Sequence, residues 1–194
     1  MKSKKRGLYF FKKVRRFIWR KVIRSLVLKW ENQGRYIVEK KIFPSIKNKK
    51  VLLVGVEDYV SDYPKKASKN QNDVYSIDID PEMAEFGARK HIIGDIAEID
   101  KHFAENFLDI IFLGGVFGYG LNDPKKAEKA LKNCYKVLKK RGVLIIWWKN
   151  VPGRNQVVPK RLKNYKLFTL ISLAGIKSGY KAKEDVIFEF LMKK

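Results

Sequence analysis

The chain has 194 residues, 45% of them hydrophobic, enough for one well-filled core plus an appendage. Its single cysteine, Cys134, excludes an intramolecular disulfide and a cysteine-cluster metal site and fits a reducing cytoplasm; two histidines, His91 and His102, are too few for a histidine metal centre without carboxylate help. The net charge of +23 is uneven, because residues 1–50 hold 18 Lys/Arg against 2 acids and residues 51–194 hold 25 against 18, so the excess belongs to an appendage.

Residues 7–30, GLYFFKKVRRFIWRKVIRSLVLKW, predict a basic amphipathic helix. At 100° per residue, Phe11, Val14, Ile18, Val22 and Leu26 share one stripe, and Lys13, Arg16, Arg20 and Arg24 fall opposite. Its charges are dispersed through the apolar residues, unlike those of a signal peptide, and no apolar run approaches the ~20 residues that span a bilayer. Gly34 is expected to end this helix, and a second helical stretch, Tyr36 to Phe43, leads to Pro44. The reading is an extension over residues 1–44 and an α/β domain over 45–194.

From Val51 the pattern alternates. Strands are predicted at VLLVG (51–55), VYSID (74–78), HII (91–93), LDIIFLG (108–114) and VLIIWW (143–148). Most are continuously apolar, as parallel strands covered on both faces must be. Asp80-Pro81 and Asp123-Pro124 each pair a helix cap with a proline at the first helical position. The helix 124–140 buries Ala127, Ala130, Leu131, Cys134, Val137 and Leu138, and Gly142 is placed to stop it. A helix near 160–174 and a final antiparallel edge strand, VIFEFLM (186–192), complete a doubly wound α/β sheet. One tryptophan of Trp147-Trp148 is expected in the core and the other at the strand's end.

Ligands of such sheets bind beyond the carboxyl ends of the strands. Strand one ends at Gly55, where a missing Cβ admits close approach, followed by Val56 and Glu57. Strand two ends at Asp78, 23 positions on, where a carboxylate can accept from two ribose hydroxyls. Strand three ends at Gly94-Asp95, and strand four runs into GGVFGYG, Gly114 to Gly120.

In order and spacing, VLLVG, YSIDIDPEMAEFG, HIIGDIAEI, FLDIIFLGGVFGYG and ALKNCYKVLKKRGVLIIWW resemble the class I S-adenosylmethionine-dependent methyltransferases, over about half the chain. The resemblance implies a Rossmann-like three-layer sandwich with S-adenosylmethionine as cofactor. By it, Gly55, Val56 and Glu57 pass the methionine and ribose portions, and Asp78 holds the ribose. Ile79 flanks the adenine, Asp95 with Ile96 faces its amino edge, and Gly114, Gly115 and Val116 line the methionine end and the substrate entrance. The first loop departs from the family: Leu53 or Val54 stands where an acid is usual, and Glu57 and Tyr59 stand where later glycines are. A Cβ there crowds a cofactor lying flat on the loop, so the loop must take another path or Asp78 and Asp95 must carry the anchoring. Tyr59 and Tyr63 offer stacking or hydroxyl contacts in place of glycine backbone.

Plainer readings exist for each residue: a strand end for Gly55, helix capping for Asp80, a turn for Asp95, relief of crowding for the GGVFGYG glycines. The order of all five strand-end features favours the ligand site. No catalytic residue is assigned; Tyr119, His91 and Asp123 are within reach as bases. The acceptor expected is a neutral or carboxylate group on a small molecule, lipid-linked sugar or other glycan. Residues 7–30 could cover the sheet, dock on an anionic membrane or bind nucleic acid, and aromatics on or beside the apolar stripe favour the first two. By the family resemblance a nucleic-acid methyltransferase is disfavoured, since GGVFGYG stands where many of those carry Asn- or Asp-Pro-Pro-aromatic. The competing class is a methyltransferase fold kept as a non-catalytic scaffold. The expected location is the cytoplasm, with peripheral membrane contact as an option.

Overall fold

The apolar run after Lys50 becomes β1 (Lys50–Val54), and every other strand is placed by its distance from it. A computed structural model describes residues 33–151 and 156–194; the basic helix expected over 7–30 lies outside them. The unit that carries the sheet runs from Gly34 to Lys194. In chain order it comprises α1 (residues 33–45), β1, α2 (Tyr63–Ala67), β2 (Asp73–Asp78), β3 (Lys90–Ile93), β4 (Leu108–Gly114) and α3 (Pro124–Val137). It continues with β5 (Leu138–Lys149), β6 (Phe168–Leu170), β7 (Ser172–Leu173), β8 (Ile176–Lys177), β9 (Tyr180–Lys181) and β10 (Val186–Lys193).

Eight strands form one sheet in the order β3-β2-β1-β4-β5-β10-β6, with β9 also on β10. The five strands from β3 to β5 are parallel; β10 runs antiparallel to β5, β6 and β9. The central strands β1 and β4 are nearly continuously apolar because both faces are covered, whereas β3 at the edge has no buried residue. Leu52 and Val54 point into a core shared with α3 and with Ile96 and Ile99 of a 3-10 turn. Val51 and Leu53 point into a second core shared with Ile37, Val38, Ile42 and Phe43 of α1 and Tyr63 and Ala67 of α2. The result is a three-layer, doubly wound sandwich.

α1 is continuous from residue 33 to 45, with a π-helical stretch, Val38–Ile42, between two α-helical turns. Gly34 therefore ends no helix: it lies buried inside this segment, and residues 34–44 pack in the same core as the sheet. Asp80 and Asp123 cap as expected, accepting from the Glu82 and Lys126 amides at 2.9 and 2.6 Å. After Asp80, however, only a 3-10 turn forms, Pro81–Phe86.

Four further expectations are corrected. α3 ends at Val137, not near residue 140, and Leu138 already pairs with Leu108 of β4. Gly142 is part of an irregularity in β5, not a helix stop: Arg141 takes a left-handed φ of 62°, and a Cβ on Gly142 would lie 3.1 Å from the Asp109 carbonyl oxygen. The helix near 160–174 is replaced by 3-10 turns, Pro159–Arg161 and Lys163–Leu167, then β6 and the β7–β8 hairpin. The Glu128 carboxylate accepts the Lys163 and Asn164 amides there, Leu162 and Phe168 are buried, and positive φ at Ala174 and Gly175 turns the hairpin. Finally β10 is antiparallel but no edge, since β6 and β9 flank it and cover its apolar run. Among the described residues no helix is long and apolar enough to cross a membrane.

Candidate cofactor site

β1 lies between β2 and β4, so the strand order reverses beside it, and the crevice beyond its carboxyl end is where a doubly wound sheet takes its ligand. A cavity of about 340 Å³ opens there, within the range of small-molecule sites. All ten residues singled out from the sequence line it: Gly55, Val56, Glu57, Asp78, Ile79, Asp95, Ile96, Gly114, Gly115 and Val116.

The first loop solves its shortage of glycine by taking a different path. Gly55 alone adopts a left-handed φ, 75°, and its amide donates to the Ile77 carbonyl at 3.0 Å. Glu57 is extended, at φ −145° and ψ 160°, and a 3-10 turn, Asp58–Val60, follows; none of these needs a glycine. Asp78 fixes the path. One of its carboxylate oxygens accepts the Val56 amide and the other the Asp80 amide, each at 2.9 Å. A carboxylate offers about four lone-pair directions, so acceptor capacity is left for hydroxyls in the cavity.

Across the cavity Gly115 is left-handed at φ 70°, and a Cβ built on it would meet nothing within 4 Å, which leaves clear space over the β4 end. Its amide donates to the Trp147 carbonyl at 2.8 Å. The Val116 carbonyl accepts the Tyr119, Gly120 and Leu121 amides and curls the loop. Ile79 is 65% exposed, an apolar side chain free to cover a flat ring. Asp95 caps the turn that follows it, accepting the Ala97 amide at 2.9 Å, and its other oxygen pairs with Lys126 at 2.7 Å.

The wall is aromatic. Tyr63 and Phe112 line it with their ring centroids 6.3 Å apart, and Trp147 stands 6.2 Å from Phe112. Tyr59 and Tyr119 line the same cavity and are each more than half exposed. Burial, then the charge of Glu57, raises the Tyr59 hydroxyl above the ordinary phenol range. Trp148 sits in the core, as the split reading of the tryptophan pair requires.

Of the three residues considered as bases, only Tyr119 lines the cavity; His91 and Asp123 do not. His91 is taken up by the Ser76 hydroxyl at 2.8 Å, and burial lowers its pKa; Asp123 is occupied in capping α3. Sequence reasoning missed Lys126, Phe112 and Trp147. Lys126 had a signal: it stands three residues after the Asp123 cap, on the first turn of a helix that starts beside the strand ends. Phe112 and Trp147 had none, since apolar residues inside strands read as core.

The charges around this sheet are sorted. Asp73 pairs with Lys90 at 2.7 Å, Asp109 with Lys139 at 2.9 Å, and Asp100 and Glu105 with Lys136, all around the amino ends of β2 and β4. At the carboxyl ends, Glu57, Asp58, Asp78 and Asp80 pair with no lysine or arginine among the described residues. Burial raises the Glu57 carboxyl above its ordinary range, and repulsion from Asp58, Asp78 and Asp80 adds to it.

A left-handed glycine, a carboxylate with spare acceptor capacity, an apolar platform and open space at the next strand end suit an adenosine-bearing amino acid. Comparison with known proteins agrees. Residues 56–146 match the family model described as a methyltransferase domain. Among curated proteins nothing matches. Solved structures with this fold include a TehB-like SAM-dependent methyltransferase from Corynebacterium glutamicum, 18% identical, covering 94% of this chain and all of that one, TM-score 0.61. A SAM-dependent methyltransferase from Archaeoglobus fulgidus is 21% identical over 75% of this chain and 69% of that one, TM-score 0.54. The N-methyltransferase NodS from Bradyrhizobium japonicum in complex with S-adenosyl-L-homocysteine is 16% identical over 75% and 78%, TM-score 0.57. Residues 56–146 thus match a methyltransferase domain, and the sheet that carries them has the fold of the SAM-dependent methyltransferases compared.

Proposed function

We propose that the protein transfers a methyl group from S-adenosylmethionine to a small-molecule, lipid-linked or glycan acceptor that enters past Tyr59, Tyr119 and Gly115. The observation that carries this is Asp78, placed at the end of β2 inside the cavity with both oxygens oriented by backbone amides and acceptor capacity to spare. When bound, the cofactor supplies a methyl group on a sulfonium, open to in-line displacement by an acceptor. The protein's task is then alignment, holding the reacting partners near 3–3.5 Å. Asp78 and the Val56 amide fix the first loop, Ile79 and Ile96 give an apolar slot, Asp95 with Lys126 presents a polar edge, and Phe112, Tyr63 and Trp147 form a wall that sheds water. Tyr119 stands at the entrance, where its hydroxyl can hydrogen-bond an acceptor. The sequence of residues 7–30 supports a cytoplasmic protein held at an anionic membrane surface, with its aromatic residues beside the apolar stripe.

Calorimetric titration with S-adenosylmethionine tests the cofactor, and transfer of a labelled methyl group to a panel of hydroxyl, carboxyl and amine acceptors tests the reaction class. Saturable heat followed by label in one acceptor class is the expected result. No heat with the cofactor, and no rise in melting temperature, would remove the enzyme reading.

A further inference from the structure

The cavity contradicts the charge of the chain around it. Its charged lining is Glu57, Asp78, Asp95 and Lys126, in a protein of net charge +23. Asp95 and Lys126 neutralise each other at 2.7 Å. Asp78 is steadied by two backbone amides. Glu57 is different, since its carboxylate has neither an ion pair nor a hydrogen bond among the described residues. Partial burial disfavours its charged form, and repulsion from Asp58, Asp78 and Asp80 adds to that. A carboxylate held among like charges at a cavity wall is offset most directly by a cation in the cavity.

We infer that Glu57 is a specificity-determining residue that makes this cavity prefer the cationic, methyl-bearing cofactor over its neutral demethylated product. The inference rests on the reading of the cavity as the cofactor site. S-adenosylmethionine and S-adenosylhomocysteine share adenosine, ammonium and carboxylate groups and differ by one methyl and the positive charge it places on sulfur. Contacts to the shared parts hold both alike, and an uncompensated negative charge in the wall favours the one that carries the cation. Glycine, usual in the family at this position, contributes no such charge. The positive surface elsewhere does not cancel the effect, because exposed charges beyond about 8–10 Å are largely screened at physiological salt. The consequence is release: once the methyl group has left, the product loses the attraction that held the cofactor, and the cavity clears.

The test is calorimetric titration of the full chain with each of the two compounds, for the wild type, Glu57→Gln, Glu57→Gly and Glu105→Gln, the last removing an acid near the opposite end of the strands. The wild type is expected to bind S-adenosylmethionine about tenfold more tightly than the homocysteine compound, a margin that narrows as salt is raised. The margin should collapse in both Glu57 variants, with affinity for the neutral compound changed little, and should persist in Glu105→Gln. Melting curves with the neutral compound confirm that each variant is folded. Equal or tighter binding of the neutral compound by the wild type, or an unchanged margin in Glu57→Gln, overturns the inference while leaving the cofactor site intact. Binding of neither compound overturns both.

Discussion

The acids at the amino ends of β2 and β4 and those that follow β1 and β2 are treated in opposite ways; Asp95, after β3, is paired with Lys126. Around the amino ends, Asp73, Asp100, Glu105 and Asp109 each have a lysine partner. At the carboxyl ends, where β1 and β2 run into the cavity, Glu57, Asp58, Asp78 and Asp80 have none. Lysine is plentiful everywhere in this chain, so a lack of cations does not explain the difference. Acids in the first group close the structure on itself. Those in the second leave a field and unused lone pairs for something that is not protein.

The strongest way to break that contrast is Asp78→Ala. It removes the acceptor proposed for the ribose and the tie to the Val56 amide together, and affinity for both adenosyl compounds is expected to fall by about 100-fold. Unchanged affinity would show that the carboxyl-end acids do not hold the ligand. Asp109→Ala probes the other end. It unties the Lys50 amide, held at 2.9 Å, and Lys139, so chemical denaturation should show a loss of about 1–3 kcal/mol, with cofactor affinity unaffected. A parallel loss of affinity would mean the two ends are not separable.

Gly55→Ala tests the turn between them. Its φ of 75° is strained for any residue with a Cβ, and that Cβ would come 3.2 Å from a methyl of Val116, so a destabilisation of about 1–2 kcal/mol is expected. The smallest effect is in pH. Burial and neighbouring acids raise the folded pKa of Glu57, so the folded state binds its proton more readily than the unfolded one does. Stability from this group is therefore present below its unfolded pKa and lost as pH rises through the raised folded pKa. Affinity for the cationic cofactor should move the other way, weakening as pH falls through that range. Comparing melting temperature and titration of wild type with Glu57→Gln isolates both trends; parallel trends in the two proteins would assign them to other groups.

The parallel half of the molecule was legible because its signals are local. Each strand from β1 to β5 is a short apolar run, and the acids and glycines that follow it sit at strand ends whatever the details of packing. That placed all ten named residues around one cavity. The C-terminal half was not legible in the same way. Residues 160–174 carry apolar residues at spacings that suit a helix, and only the amides claimed by Glu128 and the pairing of Phe168–Leu170 with β10 turn them into 3-10 turns and a strand. Gly142 likewise looked like a helix stop, when a Cβ there is excluded by the Lys139 carbonyl at 2.8 Å and, from a neighbouring strand, the Asp109 carbonyl at 3.1 Å.

By itself the sequence determined the parallel strands β1 to β5, the long helix before β5 and the residues at the strand ends, since periodicity and backbone propensity act over a few positions; packing decided the turns and short strands after β5. Tertiary structure alone decided that Asp95 would be neutralised by Lys126 while Glu57 would stand without a cation. It also decided that Phe112 and Trp147 would line a cavity as well as pack in the second core. Charge pairing and cavity walls are set by residues far apart in the chain, and a linear pattern holds no distance between them.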